Sequence, residues 1–175
     1  MKSYIALSLI SAALTGCISI STSKPSTQAF NLDGSPSVEN AIGINRTISR
    51  GQLTCEAGQI CPELAIDWKQ TKGEYPVTLH YYDQNKLDIS AISFIVDGNT
   101  YNYNTLSQTN YRPLAKSNII DSSNTVLVPK EVLKNFKQAQ SIAVIMNTNQ
   151  GEIAHYMLKN QKSSDAYRLF LRAYS

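Results

Sequence analysis

Ile92-Ser93-Phe94-Ile95-Val96-Asp97-Gly98-Asn99-Thr100-Tyr101-Asn102-Tyr103 is the stretch on which the fold turns. Ile92, Phe94 and Val96 alternate with Ser93 and Ile95, the period of two that sends one set of side chains to one sheet face. Asp97-Gly98-Asn99 interrupts the run, and Tyr101 and Tyr103 resume it. An Asp-Gly pair accepts the positive φ values of a tight hairpin turn. Strands joined so closely run antiparallel. If Phe94 and Val96 face a core, Tyr101 and Tyr103 share that face.

Upstream, Leu64, Ile66 and Trp68 alternate with Ala65, Asp67 and Lys69, a half-buried strand. Lys72-Gly73-Glu74 turns the chain. Val77, Leu79 and Tyr81 then alternate with Thr78, His80 and Tyr82, and Asp83 to Lys86 turns again. Ala41 to Ile44 is a short strand or a docking segment. Downstream, residues 104–123 are polar and contain Pro113. Thr125 to Val128 reads as a strand stopped by Pro129, which opens a helix because its missing N–H is not needed there. Val132, Leu133, Phe136 and Ala139 follow at helical spacing. Ile142 to Met146 is a strand, Asn149-Gln150-Gly151 turns it, and residues 153–158 return. Ser164 to Tyr174 reads as an amphipathic helix capped by Ser163 or Ser164, with Asp165 at the positive end of its dipole. These elements predict an α+β fold: a mostly antiparallel sheet of about six strands with two helices covering one face. No repeat of solenoid length is present.

The N-terminus carries a different kind of information. Lys2 precedes an apolar run, Tyr4 to Leu14, of signal-peptide length and too short to span a bilayer. Leu14-Thr15-Gly16-Cys17 follows directly. These residues resemble the lipobox of bacterial lipoproteins. The resemblance implies that residues 1–16 are a signal peptide removed by signal peptidase II. It implies that Cys17 carries diacylglycerol on its thiol and a further acyl chain, palmitate in kind, on its amine. Three acyl chains make a permanent membrane anchor, at about 0.8 kcal/mol per buried CH₂. Ile18 stands where Asp retains enteric lipoproteins in the inner membrane, so the expected location is the periplasmic face of the outer membrane. The order of elements after Thr125 also resembles uncharacterised periplasmic lipoprotein domains, without a named family.

Residues 17–40 then read as the lipidated cysteine and a flexible tether, rich in Ser and Thr and unable to bury a core. Such a tether reaches roughly 25 Å. Residues 41–175 are a single domain of adequate size for a core. Removing the signal lowers the formal charge from +3 to +2, and Lys and Arg are scattered, which excludes a nucleic-acid footprint. Cys55 and Cys61 are the two remaining cysteines. Export places them in an oxidising compartment, where a C-x5-C pair forms a structural disulfide. A redox site would use C-x-x-C. The bridge staples the lead-in to the first core strand, with Gly58 supplying flexibility.

Chemistry-bearing residues are few. His80 and His155 lie on different strands, with nothing in their spacing that asks for a metal. Asp33-Gly34-Ser35-Pro36 lacks the second glycine of a nucleophile elbow, and Gly-rich phosphate loops are absent from the sequence. Asn45-Arg46-Thr47 matches a glycosylation sequon that a bacterial lipoprotein does not use. Glu63 and Asp67 beside Trp68 are the one pair to weigh as glycosidase carboxylates, against ordinary strand residues. Ten tyrosines against four phenylalanines fit half-buried strand faces. Tyr81, Tyr101, Tyr103 and Trp68 form a candidate binding face, against sheet packing as the plainer reading. The pattern calls for no cofactor. The expected function is a non-catalytic envelope lipoprotein, a binding or assembly-support module with the membrane and an envelope protein as partners. The alternatives are a cell-wall glycan or peptide hydrolase and a secretion-system accessory.

Overall fold

The hairpin forms where its alternation places it. In the computed structural model, which describes residues 48–55, 60–69 and 72–174, β4 (Ile89–Val96) and β5 (Asn99–Asn104) pair antiparallel. Phe94 lies opposite Tyr101 and Ile92 opposite Tyr103. Asp97 and Gly98 form the turn with φ of 48° and 86°, the two positive values of a type I′ turn. The signal and tether, Cys17, Ala41 to Ile44, Gly34-Ser35, the Asn45 sequon and Gly58 lie outside the described residues.

Before the hairpin come β1 (Ile48–Gln52), β2 (Glu63–Asp67) and β3 (Glu74–Asp83). After it come β6 (Asn110–Pro113), β7 (Ile120–Pro129), α1 (Lys130–Gln138), β8 (Ile142–Thr148), β9 (Gly151–Lys159), β10 (Lys162–Ser163) and α2 (Asp165–Tyr174). The class is α+β and the strand pairing antiparallel. The single sheet of about six strands is corrected to two sheets of five, ordered β1-β2-β3-β7-β6 and β10-β9-β8-β4-β5. Alternation identifies a strand but not its partner. Here β3 pairs with β7, and the chain after β3 crosses to the other sheet. Three strands went unread because they are short and polar: β1 is ISRGQ, β6 is NYRP and β10 is KS.

Both sheets turn one face to a common core. Val77, Leu79, Val126 and Val128 come from the first sheet, and Ile92, Phe94, Val144 and Met146 from the second. The helices do not cover one face of one sheet, as expected, but add to this shared core. Phe136 of α1 lies 5.3 Å from Phe94 and 5.8 Å from Phe170 of α2, centroid to centroid. Pro129 caps α1 in an extended conformation, and the Ser164 hydroxyl accepts the Tyr167 N–H at 3.2 Å to cap α2, a bond worth about 1 kcal/mol. Gly51 lets α2 approach β1: a Cβ there would stand 2.6 Å from the Ala166 nitrogen.

Strand β7 begins at Ile120, inside the stretch read as polar connection. Asp121, Ser122, Ser123 and Asn124 are all buried. They can be central because their polar groups find partners. Ser122 Oγ accepts the Leu87 N–H at 3.1 Å, and the Asn124 amide donates to the Ile89 and Ser107 carbonyls at 2.9 and 3.0 Å.

Cys55 and Cys61 are disulfide-bonded with Cα atoms 5.4 Å apart. The bridge closes the β1–β2 connection just ahead of β2. Next to it, Thr54 bonds the Tyr156 carbonyl through its N–H (2.9 Å) and its hydroxyl (3.0 Å). That bridge links the chain leaving β1 to β9 of the other sheet.

Candidate functional site

Alternation in β3 sends Val77 and Leu79 to the core and Thr78, His80 and Tyr82 to the opposite face. Register then sets their neighbours. Glu63 of β2 lies opposite His80, Asp121 of β7 opposite Tyr82, and Arg112 of β6 opposite Asp121. With Arg50 of β1 these side chains form a polar band across all five strands of the first sheet.

The band holds two hydrogen-bonded clusters and a threonine pair. Arg50 Nε donates to Glu63 Oε2 at 2.6 Å, and Arg50 Nη2 donates to the Tyr82 hydroxyl at 2.8 Å. That hydroxyl donates to Glu63 Oε2 at 2.9 Å. His80 Nδ1 donates to both Asp121 oxygens at 3.0 and 3.1 Å, and Arg112 Nη2 donates to Asp121 at 3.2 Å. The Thr78 and Thr125 hydroxyls bond each other at 2.8 Å. The carboxylates lie deep and an arginine stands toward each edge: the Asp121 side chain is 2 % exposed and that of Arg112 44 %.

Electrostatics follow from this packing. Burial works against the Asp121 charge, but the His80 hydrogen bond and Arg112 outweigh it and hold the carboxyl below its ordinary range. Burial also works against the Arg50 charge, and Glu63 and Tyr82 outweigh it, so the guanidinium holds its proton more firmly. Burial first, and Glu63 second, push the Tyr82 hydroxyl far up, so it stays protonated. Asp121 thus holds its negative charge, Arg50 its positive charge and Tyr82 its proton.

The residues singled out from sequence are distributed otherwise. Tyr81, Tyr101, Tyr103 and Trp68 are partly buried and pack against the core. Trp68 sits against Tyr75, Phe170 and Tyr174, and its indole N–H donates to Ser49 Oγ at 3.1 Å. Glu63 and Asp67 are four positions apart on one strand, about 13 Å at strand rise. Glycosidase carboxylates stand roughly 5–9.5 Å apart. Glu63 instead serves Arg50 and Tyr82, and Asp67 accepts the Lys69 N–H at 2.9 Å. The two histidines stay separate: His80 is in the polar band, and His155 lies opposite Val144 in the second sheet. His155 Nδ1 donates to the Thr54 carbonyl at 3.1 Å, leaving Nε2 buried with a bare lone pair. Burial, partly offset by that bond, lowers its pKa.

A histidine oriented by an aspartate is half of a nucleophile-activating arrangement. Among the described residues His80 hydrogen-bonds only Asp121, so no hydroxyl or thiol completes it. A shallow cleft of about 530 Å³ lies elsewhere, lined by residues that include Asp88, Ser90, Thr105 and Tyr111. The polar band was missed from sequence because its members are scattered from residue 50 to residue 121 on strands whose pairing no local pattern reveals. Comparison of the chain with family models, curated proteins and solved structures finds no match.

Proposed function

We propose that this chain is a non-catalytic envelope lipoprotein, anchored through Cys17, whose domain binds a protein partner with the outer face of its first sheet. The observation that carries the reading is the polar band from Arg50 to Arg112. Its side chains are already ordered by one another, so a partner contacting them loses little further side-chain freedom. The outer Arg112 supplies directed N–H donors suited to a carboxylate or carbonyl on that partner. The Cys55–Cys61 bond fits an exported domain. The lipobox supplies the address.

Crosslinked pulldown from intact envelopes tests the binding, and fractionation tests the anchor. Wild type should capture a defined partner, and Arg112→Glu should lose it when both are assayed below the variant's own unfolding temperature, which its new carboxylate beside Asp121 lowers. Cys17→Ala should leave the membrane fraction. Retention of Cys17→Ala after a high-salt wash refutes the anchor, and undiminished capture by Arg112→Glu refutes the binding face.

A further inference from the structure

Strand β5 ends the second sheet: among the described residues no strand pairs with its outer edge, and the Leu106 N–H just beyond it donates to the Thr125 carbonyl of β7 at 2.9 Å. A two-residue turn makes Val96 and Asn99 the closing hydrogen-bonded pair, and such pairs recur every second residue. The Thr105 N–H donating to the Ser90 carbonyl at 3.2 Å continues that series. Tyr101 and Tyr103 therefore spend their backbone groups on β4. Thr100, Asn102 and Asn104 point theirs away from it, and all three residues are exposed.

Exposed edges usually carry a charge, a proline or a bulge that blocks pairing. In this fold β1 has Arg50, β6 has Arg112 and Pro113, and β10 is two residues long with Lys162. By contrast, the sequence from Asn99 to Tyr111 contains no charged residue and no proline. This edge is open.

We infer that two copies of this chain join edge to edge through β5, antiparallel, about a two-fold axis at Asn102. The outward backbone groups fix this register. Asn102 pairs with Asn102 of the second copy, and Thr100 pairs with Asn104 in both directions, giving about six backbone hydrogen bonds. Tyr101 of each copy then lies opposite Tyr103 of the other on the core-side face, two aromatic cross-strand pairs. A second copy is the occupant because the edge is uncharged and self-complementary. Identical strands meet there without like charges, and the symmetry forms every contact twice. The two sheets become one continuous sheet across the pair.

Cysteine scanning of the full chain in detergent tests the register. A hydrogen-bonded antiparallel pair holds its Cα atoms about 5.5 Å apart, within disulfide range. Asn102→Cys should crosslink to itself under mild oxidation, and Thr100→Cys mixed with Asn104→Cys should crosslink to each other. Thr100→Cys alone, about 13 Å from its own copy, should link at least tenfold less. Asn102→Lys should halve the protein mass measured by sedimentation while still unfolding in one cooperative transition, at a temperature no longer dependent on protein concentration. Equal crosslinking at all three positions overturns the inference. So does a wild-type protein that sediments as a monomer, or an Asn102→Lys variant that stays paired.

Discussion

Removing the bond between Cys55 and Cys61 should destabilise the domain by about 2 kcal/mol. The bridge spans a sequence separation of 6, and loop-closure entropy for so small a ring gives about 2 kcal/mol at 25 °C. For a domain of this size that lowers the unfolding temperature by roughly 8 °C. The loss is confined to this amount because other contacts hold the same connection. The Leu53 N–H still donates to the Pro62 carbonyl at 2.8 Å, and Thr54 still bridges to Tyr156. The assay is urea unfolding of a Cys55→Ser/Cys61→Ser double variant beside oxidised and reduced protein, all carrying Cys17→Ala so that no third thiol interferes. The double variant and the reduced protein should share one midpoint, below that of the oxidised protein. The urea slope should stay the same, since so small a ring hides little surface in the unfolded chain. Equal midpoints for the oxidised protein and the double variant would refute the reasoning. Iodoacetamide labelling of both cysteines in untreated native protein would do the same.

Gly51→Ala should destabilise the fold by about 1–3 kcal/mol in the same assay, because its Cβ meets the backbone of α2 and not a yielding side chain; wild-type stability would show that α2 can shift freely. Asp121→Asn should lower stability at pH 7 by about 1.5–3 kcal/mol. Because the folded pKa of Asp121 is lowered, its contribution is present above the unfolded value near 3.9 and is lost as pH falls through the folded value. The variant should therefore show a shallower acid slope below about pH 4 in urea midpoints, and an unchanged slope would count against the His80–Asp121–Arg112 contacts. His155 also has a lowered folded pKa, so its contribution is present above the unfolded value near 6.5 and lost as pH falls from there to the folded value. His155→Gln should remove that loss, and an NMR titration should place the His155 midpoint below that of a free histidine; a midpoint at or above the free value contradicts the burial argument.

Local pattern carried the elements well and their assembly poorly. The β4–β5 hairpin, α1 after Pro129 and α2 after Ser164 were legible because alternation, turn chemistry and capping all act within a few residues. The front of β7 was not, since Asp121 to Asn124 is polar and becomes a central strand only when distant groups satisfy it. The division into two sheets was hidden for a related reason: β3 has equal claims on β4 and β7 until the core chooses. Tyr81, Tyr101 and Tyr103 pack partly against the core, and how much of each ring stays outside depends on strand pairing that alternation does not reveal. The Arg50–Glu63–Tyr82 and His80–Asp121–Arg112 contacts depend on register between strands far apart in sequence, a quantity absent from any short window.

The pairing of β3 with β7 also sets an order of events. His80 and Asp121 are 41 residues apart, and the chain between them must build a hairpin that belongs to the other sheet. As the polypeptide emerges from its N-terminus, β1, β2 and β3 can zip together at once. Strand β3 then stands with the backbone groups of one edge unpaired until β7 arrives. Non-local closure of this kind is slow, and an unfilled edge invites pairing with other nascent chains. The interval between these two strands is thus the hazardous stretch of folding, and a chaperone that shields β3 during it would raise yield without touching the finished protein.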